Sequence, residues 1–237
     1  MTEKLLIPTN PNNIFDKYFS DVLHDKPTQV SQTGPYISIS RDFGSMANVI
    51  AQKLSTELNK SNKGRKWNWI NKSILIESSK ALDLSTSKIE YVFQSQQKSM
   101  MDEIVGAMST RYYKSDRKIR NTIIQVIRSI AQTGNVIIVG RGGVAFANDN
   151  PKSFHVKLTA PLEWRVNRIS SNYNKSKEEA LRYVLETDKE RKFLIDSFMG
   201  YETDHSIFDI VFNRQSFTDE DIVSTIVNLM KAKQLIE

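Results

Sequence analysis

Hydrophobic and polar positions follow two periods along this chain, one typical of strands and one typical of helices. A short apolar run at residues 36–40 predicts a buried strand, and apolar residues at helical spacing follow it. The same order recurs towards the C-terminus. The predicted strands are residues 36–40, 67–70, 135–139, 154–158 and 209–212. Strands that alternate with helices in this way predict an α/β fold with a parallel sheet covered on both faces.

Each predicted helix places its apolar residues on one face. Gly134 ends one helix, Pro161 opens the next, and Ser176 with Glu179 forms a capping-box signal for another. The predicted inward positions are Ala47, Ile50, Ala51, Leu54 and Leu58; Ile119, Ile123, Val126, Ile127 and Ile130; Leu162, Val166 and Ile169; and Ile222, Ile226 and Leu229. These faces are large enough to build the core of one sizeable domain.

Residues 1–34 differ from the rest of the chain. Prolines and asparagines punctuate them, so we predict an extension and linker that precede a single domain at 35–237. Phe15, Tyr18 and Phe19 recur at helical spacing within the extension. This helix either packs against its own domain or binds a protein partner, which includes a second copy of the chain. Residues 71–117 are predicted to be mostly polar helix.

Composition narrows the function only a little. The chain has 237 residues with 33 basic and 27 acidic side chains, a net charge of +6 and a pI near 9.3. This balance suits a polyanion or a phosphorylated small molecule, but the basic residues are spread along the chain, as in an ordinary charge excess. Trp67 and Trp69 beside basic residues would suit base stacking, yet their alternation favours a buried strand. Nucleic-acid binding is therefore the least supported reading.

Several classes of site are excluded. The chain has no cysteine, so disulfides, thiolate metal sites and cysteine nucleophiles are absent, and its three histidines are scattered. No apolar run reaches the roughly 18 residues of a membrane span, and no signal-peptide pattern opens the sequence. We therefore expect a cytoplasmic protein that does not act in a membrane.

The turn after the first strand carries the most informative chemistry. Residues 36–51 form a strand, a tight turn and an amphipathic helix, as in a phosphate-binding loop. When the sequence is aligned with the motif G-x-x-x-x-G-K-[ST], Arg41 and Met46 occupy the positions of the two glycines. Ala47 occupies the position of the lysine, and Asn48 that of the Ser/Thr. Gly44 and Ser45 at the helix start predict a phosphate site. The alternative is an ordinary strand-to-helix turn that binds no ligand. The architecture is kept while the usual lysine is absent.

Taken in order, these segments resemble the cytidylate kinase-like family, from about residue 36 to about residue 230. The family opens with I-S-R-[ED]-F-G-S-G-G, which itself lacks the lysine, and it has a strand that ends in V-I-V-G-R-G. The matching stretches are residues 39–45, 136–142, 158–165 with Arg168, and 188–191 with 209–213. The four stretches follow one another in the order of the family pattern.

The resemblance implies a three-layer αβα P-loop kinase fold, with an acceptor-binding helical excursion at 60–117 and a lid at about 165–205. It implies transfer of the ATP γ-phosphoryl to a nucleoside monophosphate, CMP or dCMP, with Mg²⁺. Positioning and positive charge supply most of such catalysis. The implied catalytic residues are Arg41, Arg165, Arg168, Asp188 and Arg191. The implied acceptor-binding residues are Arg141 and Asp188, and the phosphate loop is Phe43, Gly44, Ser45, Met46, Ala47 and Asn48.

The sequence also departs from the family pattern. Met46 and Ala47 replace two glycines where a backbone approaches phosphate, and Met46 narrows the loop or takes a φ that it disfavours. No acidic residue follows the strand at 136–139, so Asp42 is the nearest candidate for magnesium. Asp188 with Arg191 also fits a solvated helix pair, and Arg165 with Arg168 fits an exposed basic face. The rival hypothesis is a catalytically impaired member that binds a nucleotide or another protein.

Overall fold

A five-stranded parallel sheet forms the centre of the described structure. The computed structural model describes residues 33–71 and 116–237. Its strands are β1 (Tyr36–Arg41), β2 (Asn68–Ile70), β3 (Val136–Val139), β4 (Ser153–Thr159) and β5 (Ile210–Asn213). They pair in the order β2-β3-β1-β4-β5, and every pairing is parallel. The predicted α/β fold with a parallel sheet is confirmed.

The helices of the described residues end before Gly134 and begin after Pro161 and Ser176, as predicted. They are α1 (Ala47–Ser61), α2 (Asp116–Thr133), α3 (Leu162–Tyr173), α4 (Lys177–Met199) and α5 (Asp219–Ala232), with short 3₁₀ helices at Gly143–Asp149 and His205–Ile207. The Ser176 hydroxyl accepts from Glu179 N, and the Glu179 carboxylate accepts from Ser176 N, so the predicted capping box is present. None of these helices, within the described ranges, is long and apolar enough to span a bilayer.

The chain divides into two compact units by its backbone contacts. The first consists of Met1–Asn10, Val30–Lys72 and Ile130–Glu237, and the second of Pro11–Gln29 and Ser73–Ser129. The described part of the second unit is the first fourteen residues of α2, where Ile123, Val126 and Ile127 are buried. The extension at 1–34, apart from its last two residues, and most of the excursion at 60–117 lie outside the described residues. The predicted roles of both segments stay predictions.

The core of the first unit lies between the sheet and two helices. Side chains that alternate along β1, Ile37 and Ile39, join the buried faces of α1 and α5. Every apolar position predicted for α1 is buried, and Trp67 and Trp69 are only 3% and 6% exposed. The tryptophans are therefore core residues of the β2 edge. A stacking platform for bases requires exposed rings, so the nucleic-acid reading loses its aromatic support.

The opposite face of the sheet receives the 3₁₀ helix that begins at Gly143. The Tyr36 hydroxyl donates to Gly143 O at 3.2 Å, and a Cβ at Gly143 would meet the Ile138 side chain at 2.9 Å. Two predicted inward positions differ from expectation. Leu162, the first residue of α3, is 38% exposed, and Leu229 is only half-buried, whereas the adjacent Met230 is fully buried. Helical spacing cannot distinguish adjacent positions at the edge of a face.

Candidate functional site

The loop between β1 and α1 has a backbone that suits glycine at two positions. Gly44 has a φ of 93°, and Met46, the residue before α1, has a φ of 53° and a ψ of 44°. A side chain in this left-handed region costs about 1–2 kcal/mol. The expectation that Met46 takes a disfavoured φ is confirmed. Met46 also gives α1 no side-chain cap, so no cap of this kind holds the first N–H groups of the helix.

We call residues 45–48 the helix half of the loop. Arg168 donates from its guanidinium to the Met46 sulfur, and its Cζ lies 4.7 Å from the centroid of the Trp164 ring. Two polar atoms near these contacts, Ser45 Oγ and Arg168 Nε, are buried without a hydrogen-bond partner among the described residues. A buried polar atom without a partner is costly, so this half of the loop holds unsatisfied hydrogen-bonding capacity.

The middle of the loop is held by a carboxylate on α4. Asp188 Oδ1 accepts from Phe43 N at 2.6 Å, and Asp188 Oδ2 accepts from Arg165 at 2.5 Å. Arg165 also donates to Phe43 O at 3.2 Å and to Ala160 O at 3.0 Å. Because Arg165 is only 8% exposed, its guanidinium is committed to these partners. We call this set of contacts the Asp188–Arg165 clamp.

Arg191 lies one helical turn after Asp188 on α4. Its Cζ is 5.1 Å from the centroid of the Phe43 ring, and it donates to Arg41 O at 3.3 Å. The Phe43 ring also packs edge-on against Tyr183, with centroids 4.9 Å apart. Asp188 and Arg191 therefore both contact the loop. The alternative of a solvated pair on an exposed helix face does not describe their surroundings.

We call Arg41 and Asp42 the strand half of the loop. Asp42 Oδ1 lies 2.5 Å from Lys157 Nζ, and Asp42 Oδ2 accepts from the Thr159 hydroxyl at 2.6 Å. Burial by itself would raise the pKa of Asp42, but the charge and hydrogen bond of Lys157, the Thr159 hydroxyl and the Arg165 charge hold that pKa below its usual value. Asp42 is thus an ionised carboxylate with both oxygens engaged.

Arg141 lies in a turn of three left-handed residues after β3. The φ values are 73° at Gly140, 56° at Arg141 and 65° at Gly142. A Cβ at Gly140 would lie 1.9 Å from an Arg41 nitrogen, and a Cβ at Gly142 would lie 2.3 Å from the Phe198 ring. Both glycines are therefore required by close neighbours as well as by φ. The turn brings Arg41 and Arg141 to the same edge of the sheet.

A cavity of about 790 Å³ opens at this edge. Its walls come from the ends of β1, β3 and β4, from α4, and from the segment after α4. We call it the charged cavity. Among its lining residues are Ser40, Arg41, Asp42, Arg141, Lys157, Asp188, Arg191, Lys192, Thr203, Asp204 and His205. Of the predicted site residues, Arg41, Asp42, Arg141, Asp188 and Arg191 line it, whereas Arg165, Arg168 and the residues at 43–48 do not.

The far wall of the charged cavity is tied to α4 by one aspartate. Asp196 Oδ1 accepts from both N and Oγ1 of Thr203, at 2.9 and 2.6 Å. Lys192 pairs with Asp196 at 2.8 Å and donates to Thr203 O at 3.0 Å. These contacts fix the segment that carries Asp204 and His205. Sequence reasoning placed a lid here but did not identify Asp196 or Thr203.

Lys157 is a further residue of the site that sequence reasoning missed. It stands in β4 between the buried residues Val156 and Leu158, and its side chain is 15% exposed. A lysine between two apolar residues of a predicted parallel strand is itself a signal, because such strands are normally apolar on both faces. Its partner, Asp42, is 115 positions away in the sequence, so the pair is not visible from local spacing.

A family model decides the assignment that the motifs suggested. The model of the cytidylate kinase-like family matches residues 36–216, more than three quarters of the chain. This chain belongs to the cytidylate kinase-like family. The match includes the strand half and helix half of the loop, the turn that carries Arg141, and the Asp188–Arg165 clamp.

Individual relatives are more distant. A cytidylate kinase from Sulfolobus acidocaldarius is 28% identical over 148 residues, which cover 61% of this chain and 79% of that protein. A cytidylate kinase from Methanocaldococcus jannaschii is 27% identical over 128 residues, covering 52% of this chain and 72% of that protein. A crystal structure of an uncharacterized protein from Eubacterium ventriosum superposes with a TM-score of 0.59 at 18% identity. It covers 84% of this chain and 98% of that chain, and it supports the fold alone.

Proposed function

We propose that this protein is a phosphotransferase that moves the γ-phosphoryl group of ATP to a nucleoside monophosphate, CMP or dCMP. The observation that carries the proposal is the charged cavity, where Arg41, Arg141 and Arg191 meet from three separate elements. Ligands of parallel α/β folds bind at the carboxyl ends of the strands, where this cavity lies. The two cytidylate kinases among its relatives support the choice of a cytidine nucleotide as acceptor.

The arginines suit phosphate because each presents a planar fork of donors. Arg141 is assigned to the acceptor monophosphate, since its turn projects from the end of β3 into the cavity lining. Arg41 and Arg191 are assigned to the migrating phosphoryl group. Positive charge fixed in this position stabilises the negative charge that is shared among the phosphoryl oxygens during transfer.

The Asp188–Arg165 clamp is assigned a positioning role. Asp188 and Arg165 hold the amide and the carbonyl of Phe43, which fixes the loop against α3 and α4. Arg168 acts on the helix half through Met46. In this proposal Arg165 and Arg168 therefore shape the loop, while Arg191 provides the charge that faces the cavity.

ATP supplies the phosphoryl group when it is bound. The helix half fits the phosphate end of such a ligand in two respects: Ser45 Oγ is buried with no hydrogen-bond partner among the described residues, and Met46 gives the first N–H groups of α1 no side-chain cap. The fit to Mg²⁺ is poorer, because both oxygens of Asp42 are engaged by Lys157 and Thr159. Within residues 33–71 and 116–237, no cluster of three metal-ligating side chains exists.

A second candidate function is a catalytically impaired member that binds a nucleotide without transferring phosphate, or that binds only another protein. The observation that favours it is Met46, which places a side chain in a left-handed position and holds Arg168 on its sulfur. Ala47 adds to this, because the lysine of the loop is absent.

A transfer assay combined with thermal unfolding separates the two candidates. Purified protein with ATP and Mg²⁺ is expected to phosphorylate CMP and dCMP in preference to UMP and AMP. Each true ligand at a hundredfold excess over its Kd adds about 2.7 kcal/mol to the free energy of unfolding, which a thermal shift detects easily. Stabilisation by CMP without any transfer supports the impaired member. The absence of both transfer and stabilisation contradicts the nucleotide site itself.

A further inference from the structure

The helix half of the loop has no ammonium group. Ala47 occupies the position that a lysine has in the phosphate-loop motif, and residues 43–48 contain no lysine. A phosphate-binding kinase site needs cationic charge close to the loop. The question is therefore whether another part of the fold brings a lysine to the same place.

Lys157 reaches the loop from the neighbouring strand. It lies opposite Ser40 in the register between β1 and β4, and both residues line the charged cavity. Its Nζ lies 2.5 Å from Asp42 Oδ1, in the strand half of the loop. The ammonium group is thus beside the loop from the strand side, although the sequence places it more than 100 residues later.

The surroundings of Lys157 hold its ammonium group in one position. Thr159 donates to the second carboxylate oxygen of Asp42, and the Asp42 backbone N donates to Leu158 O at 2.9 Å. With the Lys157 ion pair, Asp42 is tied to β4 at three points, two of them through its carboxylate. The side chains of Lys157 and Asp42 are 15% and 20% exposed. An ion pair this far buried gains little stability over an apolar pair of similar size. Stability alone therefore does not explain a lysine here.

We propose that Lys157 is a phosphate-binding residue that supplies the ammonium charge missing from the loop. An ammonium group has three N–H donors, and Asp42 accepts one, so Lys157 can bind a phosphate oxygen while it keeps its partner. Asp42 and Thr159 are positioning residues that hold Nζ at the cavity. The ligand class is the polyphosphate portion of a nucleoside triphosphate. This assignment rests on the proposed function for its place in the reaction.

Inorganic tripolyphosphate is the probe that tests the assignment, because it carries the phosphate groups without base or ribose. Its affinity for the full chain is measured by calorimetry for wild type, Lys157→Met and Lys157→Arg. Loss of one charged hydrogen bond weakens binding by roughly 10- to 100-fold, so Lys157→Met is expected to show that loss. Lys157→Arg keeps the charge and is expected to remain within several-fold of wild type.

Lys53→Met is the matched control. Lys53 also forms ion pairs, at 2.9 Å with Asp219 and 2.7 Å with Glu220, but it lies on α1 away from the charged cavity. The Lys53→Met protein is expected to bind tripolyphosphate with the affinity of the wild type. Lys157→Met leaves Asp42 without its cationic partner, so the double variant Asp42→Asn, Lys157→Met tests the same loss if the single variant fails to fold.

The outcomes separate this assignment from the proposed function. A Lys157→Met protein with a lower Tm but unchanged tripolyphosphate affinity shows a structural ion pair and overturns the assignment. A wild type that does not bind tripolyphosphate overturns it as well. If Lys157→Met loses affinity while wild type transfers no phosphoryl group, the assignment stands and the proposed function fails. If wild type transfers the phosphoryl group and Lys157→Met retains both kcat and tripolyphosphate affinity, the proposed function stands and the assignment of Lys157 fails.

Discussion

The two halves of the β1–α1 loop differ in what surrounds them. The strand half, Arg41 and Asp42, lines the charged cavity together with Arg141, Lys157 and Arg191. The helix half, residues 45–48, lies outside that lining, and Arg168 contacts its Met46 sulfur. A conventional phosphate loop concentrates its lysine at the helix half. In this protein Arg41, Arg141, Lys157 and Arg191 line the cavity beside the strand half. The helix half has no lysine, and its cationic contacts come from Arg168 and Arg214.

The comparison teaches that a phosphate loop can lack its lysine while other elements of the fold place positive charge beside it. Parallel strands end at one edge, so β3, β1 and β4 each contribute a basic residue to the same cavity: Arg141, Arg41 and Lys157. At the helix half, Ser45 Oγ and the neighbouring Arg168 Nε are buried with no hydrogen-bond partner among the described residues. Each half is open to a separate test.

Arg191→Ala is expected to have the largest effect, because Arg191 combines the cavity lining with contacts to Phe43 and Arg41. An arginine that stabilises the transferring phosphoryl group is worth on the order of 10³-fold in kcat. We expect kcat to fall by that order with little change in KM, since the interaction strengthens in the transition state. Steady-state transfer to CMP measures both constants.

Arg182→Ala is the control for this variant, because Arg182 is an exposed residue of the same helix. It is expected to keep the wild-type kcat. An equal fall in both variants, or a rise in KM alone for Arg191→Ala, contradicts the role of the strand half in transfer.

The pH dependence of the free energy of unfolding tests the sheet strands next to the strand half. His155 lies two residues before Lys157 and is hydrogen-bonded to Ser38 and Ser153 through its ring nitrogens, at 2.7 and 2.9 Å. Burial lowers the pKa of His155 to about 4, with Asp209 opposing and Lys233 adding to the shift. The folded protein thus binds this proton less readily than the unfolded chain.

The stability linked to His155 is present in full above pH 6.5 and is lost as pH falls from about 6.5 towards 4. The loss reaches about 3 kcal/mol in the free energy of unfolding. Denaturant unfolding at several pH values measures it, and His155→Gln is expected to flatten the slope in this window. An unchanged slope in His155→Gln assigns the acid sensitivity to other groups.

Arg141→Ala tests the acceptor side of the charged cavity. We expect CMP binding to weaken by about 1.5–3 kcal/mol, the range for a hydrogen bond to a charged group. The free energy of unfolding is expected to change little, because alanine meets the same left-handed φ of 56° as arginine does. Calorimetric titration with CMP gives the affinity. Identical affinities in variant and wild type remove Arg141 from the site.

Met46→Gly tests the helix half and has the smallest expected effect. Glycine relieves the cost of the left-handed φ, about 1–2 kcal/mol, but loses about 0.4–1 kcal/mol by making the unfolded chain more flexible. The net change in stability is expected to lie between about zero and a gain of about 1.6 kcal/mol. The Met46→Gly substitution also removes the sulfur that Arg168 contacts, so tripolyphosphate affinity is expected to rise several-fold. A fall in affinity shows instead that Met46 helps to form the site.

The sequence predicted the scaffold better than the contacts at the site. Apolar runs such as residues 136–139 predicted the strands, and helical spacing predicted α1, because burial patterns repeat with local periods. The strained position of Met46 also followed from the motif. Motif matching grouped Arg165 with Arg191, but the structure commits Arg165 to Asp188, Phe43 and Ala160. Such pairings join residues 23 or 122 positions apart and follow no period.

The parallel pairing of β1 also sets the order in which the chain can complete its sheet. Tyr36 pairs with Val136 on one side and with Ser153 on the other, so the partners of the central strand are synthesised about 100 residues after it. A ribosome that adds 5–20 residues per second needs roughly 5–20 s to produce them. During that interval β1 exists with both hydrogen-bonding edges unmatched. The nascent chain therefore has a period of several seconds in which its central strand is open to pairing with another chain.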